Sequence, residues 1–131
     1  MTLKILQPPN WPRPKGYANG IAAEGRIIVT GGVVGWNTAG VFPESFVDQA
    51  AQVFVNIRAI LAEGGAEPSH LIRLTWYLTD IDEYLANQRG LGKAYRDHLG
   101  THYPAMAAVQ VARLIEPKAK LEIEATAVVP L

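Results

Sequence analysis

Residues Lys120 to Val128, Lys-Leu-Glu-Ile-Glu-Ala-Thr-Ala-Val, alternate between polar and apolar side chains. Successive strand side chains project to opposite faces, so Leu121, Ile123, Ala125 and Ala127 share one face. Lys120, Glu122, Glu124 and Thr126 share the other. The segment is long and has no proline, which suits a central strand. A central strand with one apolar face needs cover on that face, and this requirement constrains the fold more than any other feature of the chain. The polar face carries two carboxylates two residues apart, which are either solvated or part of a site.

The remaining chain supplies the cover. Ser45 can cap a helix with Asp48 in its first turn. Val47, Ala50, Ala51, Phe54, Ile57 and Leu61 then recur at helical spacing, and Gly64-Gly65 provides a left-handed stop. A second helix is expected from Asp80 or Asp82 to about His98, with a stripe of Tyr84, Leu85, Gln88, Leu91 and Tyr95. Gly90 and Gly92 weaken it intrinsically and suit close packing on a sheet.

Strands are expected at Leu3 to Leu6, Asn19 to Ala23, Arg26 to Gly31, His70 to Thr79, Ala105 to Leu114 and Lys120 to Val129. The second and third of these are joined by a tight turn at Glu24-Gly25. Pro8, Pro9, Pro12 and Pro14 hold the early chain extended. Residues 33–43 form a Gly-rich loop carrying Trp36 and Asn37. This order fits an α+β domain over residues 1–131, a single mixed sheet with two helices packed on one face. The other sheet face is then uncovered, with Val109 or Gln110 and Trp76 or Leu74 as candidates to lie on it. Such a face favours self-association.

Composition narrows the function. With 131 residues the chain can bury one sizeable core. It has no cysteine, so disulfides, thiolate nucleophiles and thiolate metal sites are excluded. The three histidines, His70, His98 and His102, lack metal-ligand spacing, and no metal or cofactor is expected. A formal net charge of +0 gives no attraction to nucleic acid or an anionic membrane. No apolar run is long enough to span a bilayer. The N-terminus lacks a charged leader followed by an apolar stretch, so a cytoplasmic protein is expected.

Several segments together carry a family resemblance. Tyr103-Pro-Ala-Met-Ala-Ala-Val-Gln-Val-Ala-Arg-Leu114 followed by Glu122-Ile-Glu-Ala125 resembles the C-terminal signature of the reactive intermediate deaminase (Rid, YjgF-like) family. Gly16-Tyr17-Ala18-Asn19-Gly20-Ile21, Val29-Thr-Gly31, Asn56 to Gly64 and Tyr84-Leu-Ala-Asn87 resemble further segments of that family. The resemblance covers nearly the whole chain. It implies a chorismate-mutase-like fold, a homotrimer, and small-molecule clefts between subunits. It also implies hydrolysis of imines or enamines, with a non-catalytic binding or regulatory trimer as the alternative.

Such hydrolysis needs a cation for the substrate carboxylate, a held water, and a group to manage protons. The family places an Arg after Pro-Ala, where this chain has Met106, which has neither charge nor donor. Arg13, Lys15, Arg26, Arg73, Arg89 and Arg113 are the candidate replacements. The resemblance makes Glu122 the carboxylate associated with the water, and otherwise a paired strand carboxylate. It makes Tyr17 a cleft residue, and otherwise a tyrosine packed at a strand start. Asn87 matches a helix asparagine, and is otherwise a local cap. Gly31 matches a turn whose N–H faces ligand, and is otherwise a turn needing positive φ. Ala108 leaves space beside Met106. Trp36 is either a cleft cover or a surface-packed loop residue, Trp76 belongs to the core or a subunit interface, and His102 is either a neutral-pH titrating group or a solvated loop histidine.

Overall fold

The computed structural model describes residues 3–131. Met1 and Thr2, on which the reading of the N-terminal leader partly rests, lie outside the described residues. Among the described residues six strands are present: β1 (Leu3–Leu6), β2 (Gly20–Ala23), β3 (Arg26–Val29), β4 (Leu71–Leu78), β5 (Ala105–Gln110) and β6 (Leu121–Val129). They are joined by helices α1 (Phe46–Glu63), α2 (Ile81–Ala86) and α3 (Gln88–Leu99), with a 3-10 turn at Pro68–His70.

The strands form a four-stranded sheet of order β3-β6-β4-β5 and a separate ribbon of β1 and β2. Strand β6 is central, antiparallel to β3 and β4, while β5 runs parallel to β4. A parallel bridge from Ala18 to Ala105 ties the ribbon to the start of β5. The turn at Glu24-Gly25 exists, but the strands it joins do not pair with each other. Gly25 has φ 147°, and the chain there crosses from the ribbon to the main sheet instead of closing a hairpin. The expected single sheet is therefore a mixed four-stranded sheet with a two-stranded annex. The segment after Gln110 also leaves the sheet earlier than expected.

Register fixes which side chains share a face. Leu74 and Trp76 of β4 lie opposite Ala125 and Ile123 of β6 and opposite Met106 and Ala108 of β5. This face is buried under the helices. Phe54 of α1 sits between Trp76, with ring centroids 5.7 Å apart, and Tyr95 of α3, at 5.5 Å. The uncovered face carries Arg73, Thr75 and Tyr77 of β4, Glu122, Glu124 and Thr126 of β6, Val109, and the exposed Ile27 and Val29. Trp76 and Leu74 are thus both core residues and neither lies on the uncovered face.

Local chemistry explains the helix ends. Ser45 Oγ accepts from the Asp48 N–H at 3.0 Å. Gly65, at φ 74°, takes the left-handed conformation that ends α1. The Arg26 guanidinium donates to the freed Gly64 carbonyl at 2.7 Å. Asp80 caps α2 through the N–H groups of Asp82 and Glu83. The expected second helix is broken at Asn87, whose φ and ψ are −118° and 23° and whose amide donates to the Glu83 carbonyl at 2.7 Å. A side chain that bonds the preceding turn competes with helix continuation. Gly90 packs on Val47 of α1, not on the sheet; a Cβ there would stand 3.2 Å from Val47 Cγ2.

Gln49 is buried within α1 and pins the approach to β6. Its amide donates to the carbonyls of Pro43 at 2.9 Å and Lys118 at 3.0 Å, and its carbonyl accepts from the Lys120 N–H at 2.8 Å. The polar residue is stable in the core because its hydrogen-bonding groups are used.

Candidate functional site

The family-like residues fall into two groups on opposite sides of the sheet. Met106 faces the helices, where a cavity of about 580 Å³ opens between β5, α2, α3 and the segment before β2. Its walls are aromatic: Tyr17, Trp76, Tyr84, Tyr95 and Tyr103 all line it. Trp76 meets Tyr84 edge-on with centroids 5.5 Å apart, and Tyr95 stacks on Tyr103 at 5.2 Å. Leu91 and Met106 complete the apolar wall. Lys15, an exposed residue, is the one charged side chain among those lining the cavity.

Of these walls, Tyr95 is held by a side-chain hydrogen bond and Trp76 is not. The Tyr95 hydroxyl donates to the His102 carbonyl at 2.6 Å. Burial, followed by the proximity of Tyr103, raises the Tyr95 pKa far above that of a free phenol. The His102 ring meets the Leu71 carbonyl at 2.6 Å, so His102 braces the entry to β5 and is not a solvated loop residue. The indole Nε1 of Trp76 is buried and has no hydrogen-bond partner. An orphaned buried donor costs about 1–3 kcal/mol.

Glu122 lies on the other side. It is half-buried and shares a groove with Tyr77, Arg113 and Leu114. Thr30 bonds Ala125 and Val33 bonds Ile123, so two residues, Gly31 and Gly32, face only Glu124. This is a β-bulge, a device that re-aims side chains beside sites. A Cβ on Gly32 would overlap the Glu122 carboxylate and stand 3.0 Å from its Cγ. The second glycine thus makes room for Glu122. Gly31 has no positive φ and is exposed, so its expected need for a left-handed turn is not met. Across β4, the Tyr77 hydroxyl donates to Glu124 at 2.6 Å. That bond, with smaller contributions from desolvation and from the charges of Glu124 and Glu122, raises the Tyr77 pKa against an opposing effect of Arg73.

The structure therefore brings Tyr17 and Met106 together, and sets Glu122 apart from them within one chain. The expectation that all three line one cleft is not met in a single protomer, because Met106 and Glu122 project to opposite faces. Strand β5 pairs with β4, which runs between it and β6. Ala108 stands opposite Trp76 and packs against the core. Asn87 does not line the cavity; its neighbours Tyr84 and Gln88 do. Trp36 rests on Phe42 at 5.8 Å beside a third groove, away from Tyr17 and Met106.

Of the candidate cations, Lys15 alone lines the Met106 cavity, while Arg113 lines the Glu122 groove. The residues missed by sequence reasoning are Tyr84, Tyr95, Tyr103 and Trp76 as cavity walls. Tyr84, Gln88, Leu91 and Tyr95 were legible as one stripe, but a stripe does not reveal that it stands off the sheet. Among the described residues, no group of three or more His, Asp or Glu side chains is placed to hold a metal ion. Among the described residues, no helix is long and apolar enough to cross a membrane.

Comparison with known proteins gives a consistent picture. The family model described as endoribonuclease L-PSP matches residues 11–129. TdcF of Escherichia coli K12, whose name marks it as a proposed reactive intermediate deaminase, is 32% identical over 127 residues, covering 95% of this chain and 96% of TdcF. A RutC family protein of Synechocystis, slr0709, is 34% identical over 134 residues, covering 99% of each. Among solved structures, the Rid family protein YyfB of Yersinia pestis superposes with a TM-score of 0.85 at 26% identity, over 98% of this chain and 100% of the other. The E. coli TdcF structure with bound serine gives 0.70 at 31% identity, over 95% and 98%.

Proposed function

The chain belongs to the endoribonuclease L-PSP family, which includes the Rid and YjgF-like proteins, and from that premise we propose that it is a homotrimeric hydrolase of imine- or enamine-type metabolites. The observation that carries this reading is the split of the site across the sheet. One chain offers a half-site of Tyr17 and Met106 and a separate half-site of Glu122 set beside the Gly31-Gly32 bulge. A second copy laid against the uncovered face can complete a cleft from one half of each kind. The exposed Ile27, Val29 and Val109 supply apolar area for that contact. In the cleft, the cavity half binds and orients the ligand. Glu122 holds the attacking water, takes its proton as the oxygen bonds the imine carbon, and returns a proton to the nitrogen, which leaves as ammonia while the carbon becomes the carbonyl of the 2-oxo product. We assign the protein to the cytoplasm on the same reading.

Met106 tempers the activity. TdcF is seen with serine, a small amino acid. A carboxylate of that size, bound here, would meet a thioether where the family has a guanidinium fork. Turnover of the imine derived from alanine is therefore expected to be weak. That same substitution favours, as a second reading, a trimer that binds small molecules without turning them over.

The test is complementation. Glu122→Gln and Tyr17→Ala each remove one half-site. Imino acids generated in situ by an amino-acid oxidase are followed for loss above the spontaneous rate. Each variant alone should be inactive, and randomly co-assembled trimers should regain about a quarter of the wild-type sites. Absence of recovery would overturn the cleft assembled from two half-sites. Absence of turnover by the wild-type protein on every imine tried would leave the binding trimer standing.

A further inference from the structure

We propose that the cavity behind Met106 takes a small aromatic carboxylate, with Lys15 as the anchor for its charge. This deepens the reading of that cavity as the ligand half-site and rests on it. Three observations converge. First, the walls are rings: Trp76 and Tyr84 meet edge-on, and Tyr95 stacks on Tyr103. Rings so placed favour a further planar ring in offset or edge contact. The Met106 thioether adds a polarizable contact to an aromatic edge. A volume of about 580 Å³ holds a single-ring ligand with room to spare.

Second, the charge of the lining has one sign. Lys15 contributes its only formal charge, and no carboxylate side chain is among the lining residues. Lys15 has no ion pair among the described residues. An anionic group on the ligand would meet an unpaired ammonium at the rim while its ring lies inside. Third, three lining residues, Tyr17, Tyr84 and Tyr103, bring phenol hydroxyls to the walls. A carbonyl or imine next to the ligand carboxylate offers such donors an acceptor.

A small aliphatic acid would use the charge and leave the rings empty. A neutral aryl compound would use the rings and leave Lys15 idle. The aromatic 2-oxo or 2-imino acid satisfies all three features, and its oxo form is stable enough to serve as a probe.

The experiment is titration calorimetry on the intact protein with phenylpyruvate, pyruvate and benzyl alcohol. Phenylpyruvate is expected to bind at least tenfold more tightly than pyruvate. Lys15→Gln, a surface change, should weaken phenylpyruvate about fivefold and leave benzyl alcohol unchanged, in keeping with an exposed ion pair. Trp76→Phe should weaken phenylpyruvate further, provided its circular dichroism matches wild type. Pyruvate binding as tightly as phenylpyruvate, or Lys15→Gln without effect on phenylpyruvate, overturns the proposal. The readout is affinity, so a protein that binds phenylpyruvate as expected but turns over no imine refutes the hydrolase and not this inference. Turnover of small imines with no preference for the aryl acid does the reverse.

Discussion

Gly32→Ala separates the role of the bulge in shaping the site from its role in the fold. The added Cβ would overlap the Glu122 carboxylate, so either the chain or the carboxylate must move. The chain around Gly32 is pinned on both sides. Thr30 N–H donates to the Ala125 carbonyl at 2.9 Å, and Thr30 Oγ1 accepts from the Ala125 N–H at 3.0 Å. Val33 and Ile123 exchange two bonds of 2.8 and 2.9 Å. At about 1 kcal/mol net each, displacing this segment costs about 4 kcal/mol. Swinging the end of Glu122 out of its rotamer costs about 0.5–1.5 kcal/mol. Gly32 has no positive φ, so alanine brings no backbone strain of its own. The carboxylate is therefore the part that yields. Urea unfolding should show a loss within about 1.5 kcal/mol. Imine turnover, or ligand affinity where turnover is absent, should fall towards that of Glu122→Gln, because a reacting group misplaced by about 1 Å costs on the order of a hundredfold. A loss of stability near 4 kcal/mol, or full function with wild-type stability, would refute the argument that Gly32 exists to seat Glu122.

Gln49→Leu should destabilise the protein by about 3–5 kcal/mol, since it orphans the Pro43 and Lys118 carbonyls and the Lys120 N–H together; denaturant midpoints with an unchanged slope would measure it. Tyr95 holds its proton more tightly folded than unfolded, so its contribution to stability is complete below about pH 10 and is lost as pH rises towards the elevated folded value. Phenolate absorbance of the folded protein at about pH 11 should then be the same for Tyr95→Phe as for wild type, and a drop in the variant would contradict it. Equilibrium sedimentation at micromolar concentration should give about three chain masses, and a stable monomer would remove the intersubunit cleft.

The parts of the fold that were legible in the sequence are those set by near neighbours. The Leu121, Ile123, Ala125 and Ala127 alternation placed one face of β6 in the core, and all four are buried. Ser45, Asp80 and Gly65 mark helix ends through contacts within a few residues of themselves. The break at Asn87 was not legible, because the same stripe continues through it and only the amide bond to Glu83 decides the matter. Of the candidate site, Tyr17 and Met106 do line one cavity, while Glu122 was assigned to their cleft from a resemblance that does not specify which copy supplies each half.

The sequence by itself determined the period of each element, and hence that Glu122 faces away from Ile123 and that Met106 and Ala108 share a side. These follow from strand geometry, which is a property of adjacent residues. Only the tertiary structure decided that β4 lies between β5 and β6, and that Met106 looks towards the helices while Glu122 looks away. Only it placed Lys15, of the six candidate cations, on the wall of the Met106 cavity, and left the Trp76 N–H without a partner. Strand order and register are settled by burying distant apolar faces against one another, and no local pattern encodes which distant face that will be.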